Sequence, residues 1–194
     1  MLPFGHVAYT WAALAWLQSR KRATDVDYRG AAVAALLPDL IDKPLTLTLM
    51  SSSGTSQGPG HTLLGQALLT AATARLKSEW LPYALISSSH LLADQMWKYP
   101  RTLLFPFSGR FDSWKFMGTP SAMLDAYAEI ATRPAIMAVE AVGIALFGWL
   151  VRKHRLHSKG SLKRFLLTGR PDVYLDPSPS EDTQPNKMRA EICA

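Results

Sequence analysis

The chain has 194 residues, 48% hydrophobic and 19% charged, with a mean hydropathy of +0.02. That is more apolar and less charged than an ordinary soluble protein, and long enough for one core-forming domain with an appendage rather than two enzyme domains. The formal net charge is +6, but the basic residues show neither interleaved aromatics nor the spacing of a nucleic-acid motif, so no nucleic-acid partner is expected. Cys193 is the only cysteine, which excludes a disulfide framework and a thiolate metal site.

Met1-Leu2-Pro3-Phe4-Gly5-His6 has no basic start and no uninterrupted apolar run, so a cleavable signal is not expected and His6 should stay in the mature chain. Residues 5–18 are uncharged and end in Ser19-Arg20-Lys21-Arg22, which predicts a buried or interfacial helix with a basic end. His6 lies in its first turn, as a terminal hydrogen bonder or as a ligand. A second uncharged helix starts near Gly30 and is expected to stop at Pro38-Asp39-Leu40-Ile41-Asp42-Lys43-Pro44. Asp39 and Asp42 read either as turn residues beside proline or as oxygen ligands delivered to the edge of a core.

Residues 51–60, rich in Ser and Gly, are expected to form an exposed, mobile loop ending at His61, just before an apolar helix over Leu63–Leu76. The following helix, roughly Leu81–Met96, carries Ser87-Ser88-Ser89 and then His90 and Asp94. Residues four apart share one helix face, so this pair has the geometry of two metal ligands, or of a packed histidine beside a solvated acid. The serines are placed to hydrogen-bond a ligand side chain. Trp97–Pro106 reads as a rigid, irregular wall, and Ser121–Thr132 as a polar amphipathic helix.

From Ala135 to Val151 the chain is apolar apart from Glu140 and is followed at once by Arg152-Lys153-His154-Arg155, the pattern of a transmembrane helix with its basic end in the cytoplasm. Residues 152–194 hold 9 Lys/Arg against 5 Asp/Glu, while residues 1–134 hold 12 against 9. Such clustering suits an anionic membrane face. Periodicity is lost after Ser158, and residues 171–194 are expected to be disordered. No alternating run supports a sheet. The expected fold is therefore all-α: a compact helical bundle over 1–133 with a metal site between helices, a transmembrane helix over 134–152, and a basic, largely disordered cytoplasmic tail over 153–194.

His6, Asp39, Asp42, His61, His90 and Asp94 each fall at the end of, or within, an uncharged helix. Carboxylates in so apolar a setting are costly, and a cation removes that cost. Imidazole and carboxylate donors suit a divalent metal, Zn first, with Mn and Fe as alternatives, and six groups suffice for one or two ions.

Taken in order, Gly5-His6, Leu36-Leu37-Pro38-Asp39-Leu40-Ile41-Asp42-Lys43-Pro44, Gly60-His61-Thr62-Leu63-Leu64 and Ser89-His90-Leu91-Leu92-Ala93-Asp94 resemble the membrane-bound metal-dependent hydrolase family, which includes LexA-binding, inner-membrane-associated hydrolases. The likeness covers about residues 1–110. It implies an all-helical protein of the bacterial inner membrane with a site distantly similar to that of zinc-dependent phospholipase C. By position it gives ligand roles to His6, Asp39, His61, His90 and Asp94. Relatives show Pro-Asp-x-Asp-His, whereas Asp42 comes one residue later and is followed by Lys43, which puts a sixth ligand or a second ion in question.

The function expected is hydrolysis of an ester or phosphoester, of a lipid or small molecule, by metal-activated water, with Asp42 or Asp94 as base. The rival is a non-catalytic membrane protein with a structural ion or polar site, whose basic tail recruits a cytoplasmic protein partner.

Overall fold

The computed structural model describes residues 1–20, 22, 26–50, 55–112 and 119–171. They form eight α-helices: α1 (Pro3–Ser19), α2 (Tyr28–Thr48), α3 (Leu63–Leu76), α4 (Leu81–Ala93), α5 (Pro100–Leu103), α6 (Pro120–Ala131), α7 (Pro134–Lys153) and α8 (Lys159–Thr168). Among the described residues there is no strand.

Local chemistry sets the helix ends. The side chains of Asp27, Thr62, Thr119 and Ser158 accept the orphan amides that open α2, α3, α6 and α8. Proline opens α1, α6 and α7, where its missing N–H is not needed. α2 departs from expectation by running through both Pro38 and Pro44 to Thr48. It is held between α1 and α4, whose packing keeps the helix continuous through both prolines. α4 ends three residues early, with Asp94 as its cap, because Gln95 takes a left-handed conformation at φ 54°. The expected wall at 97–106 is partly helical, holding a 3₁₀ turn at Met96–Lys98 and the single turn of α5.

α1 packs between α2 and α7, α2 also packs on α4, and α3 packs on α4. Gly5 of α1 allows close approach to α7: a Cβ there would stand 2.6 Å from Glu140 Oε1. The Tyr9 hydroxyl donates to the Val139 carbonyl (2.9 Å), and the Leu2 amide donates to Glu140 Oε1 (2.8 Å). Glu140 thus faces the start of α1.

The hydrophobic core, Leu14, Ala15, Val26, Tyr28, Ala31, Leu150, Leu156 and Phe165, occupies one end of the bundle. Phe165 belongs to α8, within the segment expected to lose periodicity. Its ring lies 5.5 Å from that of Trp11 and 5.9 Å from that of Tyr28. The Arg29 guanidinium donates to the carbonyls of Leu166 and Leu167 (2.9 Å each), so α8 is part of the body. Of the segment expected to be disordered, residues 172–194 lie outside the described residues.

α7 is the one helix among the described residues long and apolar enough to cross a membrane, with a mean hydropathy of 1.9 over its most apolar window and only 11% of that window buried in the bundle. A helix this apolar and this uncovered is matched to lipid rather than to water.

Candidate metal centre

At the end of the bundle opposite the core, α2 supplies Asp39 and Asp42, the 3₁₀ turn Pro59–His61 supplies His61, and α4 supplies His90 and its cap Asp94. His6 comes from the first turn of α1. One donor atom each from Asp39, His61, His90 and Asp94 lies within 4.8 Å of every other.

Each histidine is turned by a partner behind it. His90 Nδ1 lies 2.7 Å from the Ala35 carbonyl, which can only accept, so Nδ1 carries the proton and Nε2 presents its lone pair. His61 Nδ1 lies 2.7 Å from Asp42 Oδ2, again directing Nε2 inward. The ring of His6 stacks on that of His90 at 4.0 Å and 8°. Its Nε2 is 3.0 Å from Asp94 Oδ1 but not aligned for a hydrogen bond.

The three Nε2 atoms of His6, His61 and His90 are buried without a hydrogen-bond partner. Such orphans are expensive in a dry interior, and a cation would satisfy all of them. Around them the separations are 3.3 Å (His90 Nε2 to Asp94 Oδ2), 3.6 Å (His61 Nε2 to Asp39 Oδ1), 3.8 Å (His61 Nε2 to Asp94 Oδ2) and 3.9 Å (His90 Nε2 to Asp39 Oδ1). Two atoms each about 2.1 Å from one ion at a tetrahedral angle stand about 3.4 Å apart. The donor set fits a divalent metal in number, chemistry and spacing.

Asp42, expected as a ligand or base, stands behind His61. Fully buried, it accepts from the amides of Gly58 (2.7 Å), Gly60 (2.8 Å) and His61 (3.1 Å) as well as facing His61 Nδ1. Those donors occupy both oxygens on the side away from the cluster. The residues before His61, expected to be exposed and mobile, are therefore largely buried from Thr55 to Gly60 and wrap this carboxylate. Gly60 is needed there, because a Cβ would come 3.0 Å from both Asp42 Oδ1 and the Pro38 carbonyl.

Sequence reasoning missed Gln66. Its amide donates to the Gly60 carbonyl (2.7 Å) and accepts from Ser87 (3.0 Å), so Ser87 supports the His61 turn through Gln66 rather than touching a ligand. An amide one turn into an apolar helix was the available signal.

Asp39 and Asp94 also line a cleft of about 400 Å³ shared with α6 and the start of α7. Lys43, Lys98 and Arg133 reach it, and Met123, Ile130, Ile136 and Val139 give it an apolar side. Lys43 pairs with Asp39 and stands over the Tyr127 ring at 5.4 Å.

Fold and site together define an all-helical membrane protein with a buried His/Asp cluster opening into an amphipathic cleft. Residues 1–156 match the YdjM inner membrane protein family, and the chain belongs to it. No curated protein and no solved structure matches the chain. Family and apolar helix agree on a membrane location.

Proposed function

We propose that the protein is a membrane-associated, metal-dependent hydrolase acting on a phosphoester of an anionic amphiphile. The observation that carries this reading is the convergence of three orphaned, buried imidazole nitrogens on two carboxylates at the wall of an open cleft. A purely structural ion would sit in a closed shell instead.

In this reading His61, His90, Asp39 and Asp94 hold the ion, His6 adds a fifth donor or begins a second position, and Asp42 orients His61. A divalent ion there, Zn first by donor type, supplies a Lewis acid and a means of deprotonating water near neutral pH. Asp94 presents Oδ2 to His61 and His90, while its Oδ1 faces His6 and accepts from the Met1 nitrogen (2.8 Å), so in this reading Asp94 acts as a ligand. With an ion bound, Lys43 beside Asp39 leaves the cleft net positive, which favours an anionic group over a neutral ester. The apolar side of the cleft takes the substrate's hydrocarbon portion.

The test is the metal content of detergent-purified protein, wild type against His90→Ala/Asp94→Ala, beside turnover of short-chain phosphoesters and carboxylic esters. Loss of metal and of phosphoester turnover in the variant is expected. Unchanged metal stoichiometry would sink the reading.

A further inference from the structure

The bundle has two chemically different ends. At one end, α1 finishes with Arg20 over Trp16 (4.3 Å), the α3–α4 turn places Lys77 over Trp80 (5.7 Å), and α7 finishes with Lys153 over Trp149 (4.7 Å). These three tryptophan–cation pairs lie on one level, because Trp11 donates to the Tyr28 carbonyl, Tyr83 accepts from the Asp27 amide, and Tyr28 donates to Gly169 of the α8 cap. α8 adds Lys159, Lys163 and Arg164 there, with Leu162 and Leu166 exposed. The opposite end holds the His/Asp cluster, Glu140 and the two acids of α6, Asp125 and Glu129, which there offset Lys43, Lys98 and Arg133. A belt of tryptophans with a strong excess of Lys/Arg is the signature of a cytoplasmic membrane interface.

Between the ends the outward faces are apolar well beyond α7. Val33 of α2, Leu64 and Leu68 of α3, and Leu85 of α4 are exposed, and no Asp, Glu, Lys or Arg occurs from Gly30 to Pro38, from Thr62 to Ala74, or within α4. Depths agree as well. From Glu140, which touches the first turn of α1, to Lys153 at the basic end is about 20 Å of helix, and the 13-residue α4 is about as long. The stretch of α7 from Arg133 to Glu140, about 10 Å more, rises past the cluster, and Ala135, Ile136 and Val139 on it line the cleft.

We propose that the whole bundle lies in the bilayer with its basic end at the cytoplasmic surface, and that the His/Asp cleft is sunk about 10 Å below the opposite surface and opens there. α7 crosses the lipid, α1, α2 and the α3–α4 hairpin lie in it beside α7 without each crossing its full depth, and bilayer lipid covers their apolar faces. α6 lies across the far interface with Met123, Ala126 and Ile130 toward the cleft. On the hydrolase reading, the substrate must then be presented from the non-cytoplasmic side. The orientation itself rests on charge and exposure, not on catalysis.

Single cysteines in a Cys193→Ser background test it: Ser121→Cys on α6, Lys159→Cys on α8 and Leu68→Cys on α3, probed with a membrane-impermeant maleimide in sealed right-side-out and inside-out vesicles. Ser121→Cys should react only in right-side-out vesicles, Lys159→Cys only in inside-out ones, and Leu68→Cys in neither, while all three react in detergent. Ser56→Cys and His157→Cys replace either end position if a variant fails to insert. Reversed reactivity of the end positions, both ends reacting from one side, or labelling of Leu68→Cys in sealed vesicles would overturn the proposal. Metal content, read separately, keeps this result distinct from failure of the hydrolase reading.

Discussion

His61 faces two ways, with Nδ1 on Asp42 and Nε2 in the cluster, and the chemistry of the site depends on that division. Asp42→Asn keeps the shape but removes the charge behind the imidazole, so metal affinity should fall about 10- to 100-fold with helical content unchanged, as read by metal titration and circular dichroism. Gly60→Ala pushes a methyl against Asp42 and the Pro38 carbonyl, and should weaken metal binding while lowering stability by about 1–3 kcal/mol in thermal unfolding. All six candidate residues were legible as residue types at uncharged helix ends. That Asp42 turns away from the other five was not, because Asp39 and Asp42 lie within one turn of the same helix and only the 58–61 amides separate their surroundings.

α8 is the element the pattern concealed. Its contribution to the core is essentially one ring, Phe165, on a helix otherwise exposed, and a single buried residue leaves no periodicity to read. Phe165→Ala should remove about 3–5 kcal/mol, visible as a lower melting temperature and early proteolysis after Lys153. Gly169 ends α8 at φ +69°, with a Cβ position that would overlap the Asp27 carboxylate. Gly169→Ala should thus detach α8 while leaving metal content intact, since the site lies at the other end of the bundle. The remaining long helices were legible from their uncharged runs and their Ser, Thr, Asp and Pro caps. The length of α2 was not, because local steric rules end a helix at proline unless packing on both sides holds it, as α1 and α4 do here.

On the scale of the molecule, exposed apolar helices and a family of inner membrane proteins make detergent the medium in which this fold is soluble. Alkaline carbonate and high salt should leave the protein in the membrane pellet, and its release by either would contradict an integral location. By itself the sequence determined the all-α class, the apolar span at α7 and the residue types of the candidate site, because composition, caps and charge-free runs are local properties that no fold rearranges. Only the tertiary structure decided that His6, Asp39, His61, His90 and Asp94 meet, that Asp42 stands behind His61, and that the basic, tryptophan-bearing ends gather opposite the His/Asp cluster. Those facts depend on how five helices alternate in direction, and direction is set by packing between segments far apart in the chain.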